Sequence, residues 1–175
     1  YREHEDADLL TETARMIEQG LVIGWFQGRM EFGPRALGAR SILAGARNPK
    51  AKDVINSKVK FREGFRPFAP AVLKERAPEY FEMPEGMDLP FMLMVPRVRE
   101  RYRSVLPAIT HEDGTGRVQT LTPEENGRFY DLVKRVGELT GVPVVVNTSF
   151  NVRGEPIVAS PWDALRTFHN TGIDA

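Results

Sequence analysis

The sequence predicts an α/β domain built on a mixed sheet, and three observations carry that reading. Segments with apolar residues at helical spacing alternate with short apolar runs rich in β-branched residues. Two of the helical segments open on a hydroxyl residue followed by proline, a helix-start signature. The 175 residues suit one domain with a sizeable core.

The elements follow in order. Residues 6–19 place Leu10, Ala14 and Ile17 at helical spacing, with Gly20 as a C-terminal cap. "LVIGWFQ" (21–27) reads as a strand, 28–41 as a Gly/Pro-punctuated loop and "SILAGA" as a short apolar segment. "KAKDVINSKVK" (50–60) aligns Val54, Ile55 and Val59 on one helical face, and a strand is expected near Phe68–Leu73. "APEYFEMPEGM" reads as one helical turn and a loop, "PFMLMV" (90–95) as a strand, and 107–122 as two strands around a Gly-rich turn. The next helix has Thr122 as cap, Pro123 in its first position and Glu125 completing a capping box. Phe129, Leu132, Val133 and Val136 form its buried stripe, and Gly141 ends it. The strand "VPVVV" (142–146) follows. A last helix from Ser160-Pro161 carries Asp163 three residues after its cap and buries Leu165 and Phe168. A further strand would be natural after the final "TGIDA".

Composition narrows the functional classes. There is no cysteine, hence no disulfide framework and no thiolate metal site. No apolar run is long enough to span a membrane, and the opening residues do not read as a signal peptide. A cytoplasmic protein is expected. The formal net charge is zero, which argues against salt-driven nucleic-acid binding. Within that balance 18 arginines stand against 6 lysines. The planar guanidinium fork grips phosphate and carboxylate at two points, although base composition of the coding DNA explains such a skew equally well.

Four polar loops stand at the ends of apolar segments, where binding residues are usually held. The first, "GRMEFGPRALGARS", offers Arg29, Glu31, Arg35 and Arg40, or else a tight turn in which Glu31 pairs with Arg29 or Arg35. The second, "KVKFREGFRPFAP", interleaves Lys58, Lys60, Arg62 and Arg66 with Phe61 and Phe65. Cations with aromatic faces suit a nucleotide; a solvated basic surface is the alternative. In the third, "THEDGTGRVQT", His111, Glu112 and Asp113 are adjacent and point to alternate sides, so they do not form a joint metal site. Arg117 is the better anion ligand there. The fourth, "NTSFNVRGEPIV", places Asn147, Ser149, Asn151 and Arg153 at alternating positions. On an extended chain they share one face, and burying them requires a partner. Residue spacing alone stops at an α/β domain with an arginine-rich anion site.

"GWFQGRMEFGPRALGARSIL", "NSKVKFREGFRPFAPAVL", "THEDGTGRVQT" and "GVPVVVNTSFNVRGEPIV" closely resemble, in order and across nearly the whole chain, the C-terminal region of O-carbamoyltransferases of nodulation-factor and antibiotic biosynthesis. The resemblance implies a YrdC-like mixed twisted sheet with flanking helices and a concave basic surface. It implies a single domain over residues 1–175, the C-terminal part of a longer enzyme with an N-terminal Kae1-like domain as partner. It further implies that carbamoyl phosphate and ATP, with Mg²⁺, form carbamoyl adenylate for transfer to an acceptor hydroxyl. "KFREGFRPFAP" is similar to the family's Lys/Arg motif, which points to Lys60, Arg62 and Arg66 with Lys58 as a rival to Lys60. "SFN" matches its Ser-x-Asn motif, which points to Ser149 and Asn151. Lys60, Arg62 and Arg117 are the expected catalytic residues. Arg35, Arg66, Asn147, Ser149, Asn151 and Arg153 are the expected ligand-binding residues, and no protein-held metal is expected. A nucleic-acid-binding module and a non-catalytic interaction domain remain the alternatives.

Overall fold

The computed structural model describes residues 3–61 and 68–175. Five strands form one sheet: β1 (Ile23–Phe26), β2 (Arg40–Gly45), β3 (Ala69–Leu73), β4 (Gln119–Leu121) and β5 (Val144–Ser149). Their order is β1-β2-β5-β3-β4. Neighbours are antiparallel except β3 and β4, which run parallel. β5 is therefore central. Its apolar run Val144–Val146 is buried throughout, as a strand covered on both faces requires.

The period-two alternation of strand side chains divides the core into two layers. Leu43, Ala71, Leu73 and Val145 point to one side, where α1 (Asp6–Glu18) and α5 (Pro123–Thr140) supply Ala14, Ile17, Leu132 and Val136. Ile42, Val72, Val144 and Val146 point to the other. There they meet Ala51 and Ile55 of α2 (Ala51–Ile55), Tyr80 of α3 (Ala77–Tyr80) and Ala164 of α6 (Pro161–His169). A short α4 (Glu100–Arg103), which sequence reading did not anticipate, precedes the turn at 104–118. The expected YrdC-like sheet with flanking helices is the architecture observed.

The caps explain the helix boundaries. Ser160 and Asp163 form the reciprocal capping box at the start of α6. At α5 the Thr122 side chain accepts from the Glu125 N–H, but the return bond comes from a neighbour: Asn126 Oδ1 accepts from the Thr122 N–H at 3.0 Å. Gly127 then departs from helical geometry (φ 42°), which separates this first turn from the apolar stripe beginning at Phe129. Gly141, left-handed, closes the helix as expected.

Three expectations are corrected. Residues 90–95 are not a strand. Met92 takes a left-handed backbone (φ 57°) and turns its side chain inward, while Phe91, Leu93, Met94 and Val95 face solvent, Leu93 with 82% exposure. Prolines at 90 and 96 remove ladder donors at both ends of the segment. Residues 107–122 form only β4 rather than a hairpin, because β4 finds its partner in the distant β3. Leu165 is half exposed; Ala164, Thr167 and Phe168 supply the inner face of α6 instead.

Candidate functional site at the end of strand β5

After Val145, the next position on the α5 side of the central strand is Asn147. The polar cluster therefore begins where the strand leaves the cover of α5. Asn147 is buried, and its Nδ2 donates to Gln119 Oε1 at 2.7 Å and to the Ala36 carbonyl at 3.3 Å. Gln119, on β4, passes the connection on: its Nε2 donates to the Leu37 carbonyl at 2.8 Å. Two strand amides thus fasten the 27–39 loop across the sheet. The loop's approach is close. A Cβ at Gly38 (φ 115°) would fall 2.2 Å from the Phe129 ring, so only glycine fits there. Gln119 was not singled out from the sequence. An amide two residues before buried Leu121, on the same strand face, is the signal that could have found it.

Lys60 sits at the end of a single π-helical turn (Asn56–Lys60), where the residue is 7% exposed. It donates to the Ser149 carbonyl (2.6 Å), the Asn151 carbonyl (3.0 Å), Asn151 Oδ1 (2.7 Å) and Ser149 Oγ (3.2 Å). Ser149 Oγ in turn donates to Asn151 Oδ1 at 2.7 Å, and Asn151 Nδ2 to the Glu155 carbonyl at 2.7 Å. Lysine and the Ser-x-Asn pair are thus brought together as one charged knot. Lys58 points elsewhere, to Asp174 at 3.2 Å. Arg153 donates to the Phe61 carbonyl at 2.9 Å, bracing a residue held in the left-handed region (φ 44°). The extended geometry expected over 147–153 ends at Ser149, beyond which the chain turns. Arg62 and Arg66 lie outside the described residues.

A pocket of about 100 Å³ opens at the strand end, walled by Asn147, Thr148 and Ser149 together with Arg35, Arg117 and Met92. Three motif loops remote in sequence meet here. Among the described residues its walls do not include Lys60, Asn151 or Arg153. A larger cleft of about 720 Å³ lies against the next part of the 27–39 loop, with Gln27, Arg29, Glu31 and the first turn of α5 in its walls.

In place of the alternative pairing of Glu31 with Arg29 or Arg35 stands a backbone cradle. Glu31 Oε1 accepts from the N–H groups of Leu37 and Ala39, both at 2.7 Å. Arg40 is buried and stacks 3.5 Å from the Phe26 ring centre. Its guanidinium donates to the carbonyls of Gln27 (2.7 Å), Ala39 (2.9 Å) and Gly28 (3.2 Å). Burial pushes the Arg40 guanidinium below its usual range and the Glu31 carboxylate opposes that shift. Both residues shape the loop that carries Arg35.

His111 belongs to a turn. Its Nδ1 lies 2.9 Å from Thr115 Oγ1, which also donates to Asp113 at 2.7 Å. Burial, the largest influence, holds the imidazole below its ordinary value, with Asp113 opposing and Arg117 and Lys52 reinforcing.

Residues 14–175 match the family model described as Carbamoyltransferase C-terminus. The chain belongs to that family. This carbamoyltransferase C-terminal domain is 51% identical over 168 residues to nodulation protein NolO of Bradyrhizobium diazoefficiens, covering 95% of this chain and 31% of NolO. It is 38% identical over 151 residues to nodulation protein U of Sinorhizobium fredii, covering 86% of this chain and 26% of that protein. The domain thus spans about a third or less of these relatives. Among solved structures it is similar to full-length HypF in the phosphate- and nucleotide-bound form (TM-score 0.64, 15% identity, 97% of this chain and 21% of that one). It is similar also to HypF of T. kodakarensis (TM-score 0.61, 20% identity, 91% of this chain and 19% of that one). The HypF likeness is one of fold. Among the described residues no helix is long and apolar enough to cross a membrane.

Two outcomes follow from these contacts. Lys60→Met leaves several buried acceptors without their charged donor and is expected to lower unfolding free energy by roughly 2–4 kcal/mol in chemical denaturation. A wild-type midpoint in the variant would mean the knot contributes nothing. For His111 the folded state binds its proton less readily than the unfolded chain, so the unfolded state takes up more protons below the ordinary imidazole value. The stability this residue contributes is full above that value and is lost as pH falls toward the folded one. His111→Gln should flatten the decline of melting temperature on acidification below about pH 6.5; an unchanged slope would exclude His111 as its source.

Proposed function

We propose that this domain activates the carbamoyl group of carbamoyl phosphate at the expense of ATP, forming carbamoyl adenylate for a carbamoyltransferase whose remaining part carries out transfer to an acceptor hydroxyl. The observation that carries this reading is the strand-end pocket. A chain of the carbamoyltransferase family brings Arg35 and Arg117 together with Thr148 and Ser149 around a volume suited to a small anion. The larger cleft beside it has the size of a cofactor site, and Arg29 in its wall can meet a nucleotide phosphate. The similar fold of HypF in a phosphate- and nucleotide-bound form supports the same ligand chemistry.

The chemistry in this reading needs positioning and charge neutralisation more than a covalent nucleophile. Water releases phosphate from carbamoyl phosphate and leaves carbamate. A carbamate oxygen attacks the α-phosphorus of ATP, the bond from that phosphorus to the bridging oxygen breaks, and pyrophosphate departs with its electron pair. Arg35 and Arg117 hold the anionic oxygens and offset the charge that gathers as two anions approach. Lys60 keeps the Ser149–Asn151 turn in register through the knot described above. Among the described residues there is no group of three His, Asp or Glu side chains that could hold a metal ion. In this reading a Mg²⁺ would arrive on the nucleotide's phosphates and supply further charge neutralisation. The product is a mixed anhydride that water destroys unless it is shielded, and an N-terminal Kae1-like domain would receive it. Both substrates are cytoplasmic metabolites, so the reading places the protein in the cytoplasm.

Given ATP, Mg²⁺ and carbamoyl phosphate, the 175-residue chain is expected to produce AMP and pyrophosphate slowly, with no acceptor carbamoylated. Chromatography of the nucleotides beside mass spectrometry of the acceptor checks this. ADP in place of AMP would mean attack at the γ-phosphorus and would sink the adenylation reading. Arg117→Ala should weaken carbamoyl phosphate binding about 10- to 150-fold in calorimetry, the range for a lost charged hydrogen bond.

A further inference from the structure

Asn147 lines the strand-end pocket with 1% of its surface exposed, and half of its amide is unsatisfied. Which half follows from its partners. The Ala36 carbonyl lies 3.3 Å from one end of the amide, and a carbonyl only accepts, so that end is the –NH₂. Gln119 is fixed in the same way, since its own –NH₂ faces the Leu37 carbonyl and its oxygen faces Asn147. Flipping either amide would set oxygen against oxygen. Two backbone carbonyls thus orient both side chains, and the atom left over is Asn147 Oδ1. It is buried and finds no donor among the described residues. Such orphans are rare in folded proteins and call for an explanation.

The pocket wall narrows what that explanation can be. Arg35 and Arg117 in the wall carry only donors, so they suit a ligand with anionic oxygens. Ser149 Oγ already donates to Asn151 and accepts from Lys60. Asn147 Oδ1 demands the opposite of the arginines, an N–H. A fitting ligand therefore carries anionic oxygens and an N–H on a body small enough for about 100 Å³. We infer that Asn147 Oδ1 accepts a hydrogen bond from the –NH₂ of the carbamoyl group and is the atom by which this site tells carbamoyl phosphate from acyl phosphates bearing a methyl group there. The inference rests on the carbamoyl phosphate reading above and adds its selectivity. A buried acceptor discriminates because the methyl analogue leaves it unpaired, whereas shape alone barely separates –NH₂ from –CH₃.

The test is calorimetric titration of the chain with carbamoyl phosphate, acetyl phosphate and inorganic phosphate. Carbamoyl phosphate is expected to bind on the order of 10- to 100-fold more tightly than acetyl phosphate. Asn147→Leu, of similar volume and without the acceptor, should bring the ratio of the two acyl phosphate affinities to about one, whatever the lost loop contacts do to both. Equal binding of the two acyl phosphates by the wild-type chain overturns the inference while the acyl phosphate site stands. An Asn147→Leu variant that weakens all three ligands alike assigns Asn147 a structural role and overturns it too. Binding of neither acyl phosphate removes the underlying reading and the inference with it. The leucine variant also strips a donor from Ala36 and Gln119; should it fail to fold, the wild-type comparison decides by itself.

Discussion

The Asn147–Gln119 amide pair is the contact on which the geometry of the site depends. Three segments far apart in sequence meet through it: the 27–39 loop, the start of β4 and the end of β5. Each amide offers both a donor and an acceptor, so one pair can cross two strands and catch two loop carbonyls. In a buried setting such bonds are directional and costly to break, because each loss leaves a partner unsatisfied. Arg35 and Arg117, carried on either side of this pair, are thereby held around one volume.

Around that centre, charge is used largely inward. Arg40 and Glu31 spend their hydrogen bonds on backbone of the same loop, and Lys60 spends its own on the Ser149–Asn151 turn. Buried cations such as Arg40 and Lys60 are costly unless hydrogen-bonded, and carbonyl oxygens accept much of that bonding here. The consequence for function is a division among the cations. Those gripping backbone set the shape, and Arg35 and Arg117 line the space a ligand could enter. Strained backbone at Phe61 and Met92 lies beside these same elements, where packing of the surrounding structure can hold it.

Reading residues 147–153 as one extended face treated Asn147, Ser149, Asn151 and Arg153 as equivalent, and the structure separates them. Asn147 holds a loop, Ser149 and Asn151 close on a lysine 89 and 91 positions earlier, and Arg153 braces Phe61. The motifs pointed to segments that meet, since Lys60 contacts the Ser-x-Asn pair. The role of Gln119 escaped because an amide two residues before a buried leucine marks a strand face but names no partner. Its meaning comes from β3 beside it and β5 one strand further on.

The helices α1, α5 and α6, with their caps at Gly20, Thr122, Gly141 and Ser160, and the buried strand before Asn147 were legible directly. Such elements are written in periods of 3.6 and 2 and in short-range capping chemistry, all contained within a few neighbouring residues. The parallel pairing of β4 with β3, the unpaired course of residues 90–95 and the orientation of each amide were not. These depend on which segments reach the same edge of the sheet and on which carbonyls happen to face a given side chain. Hydrogen bonds across 28 to 111 residues, such as those of Asn147, leave no local pattern to read; the packed chain alone brings donor and acceptor within 3 Å or so of each other.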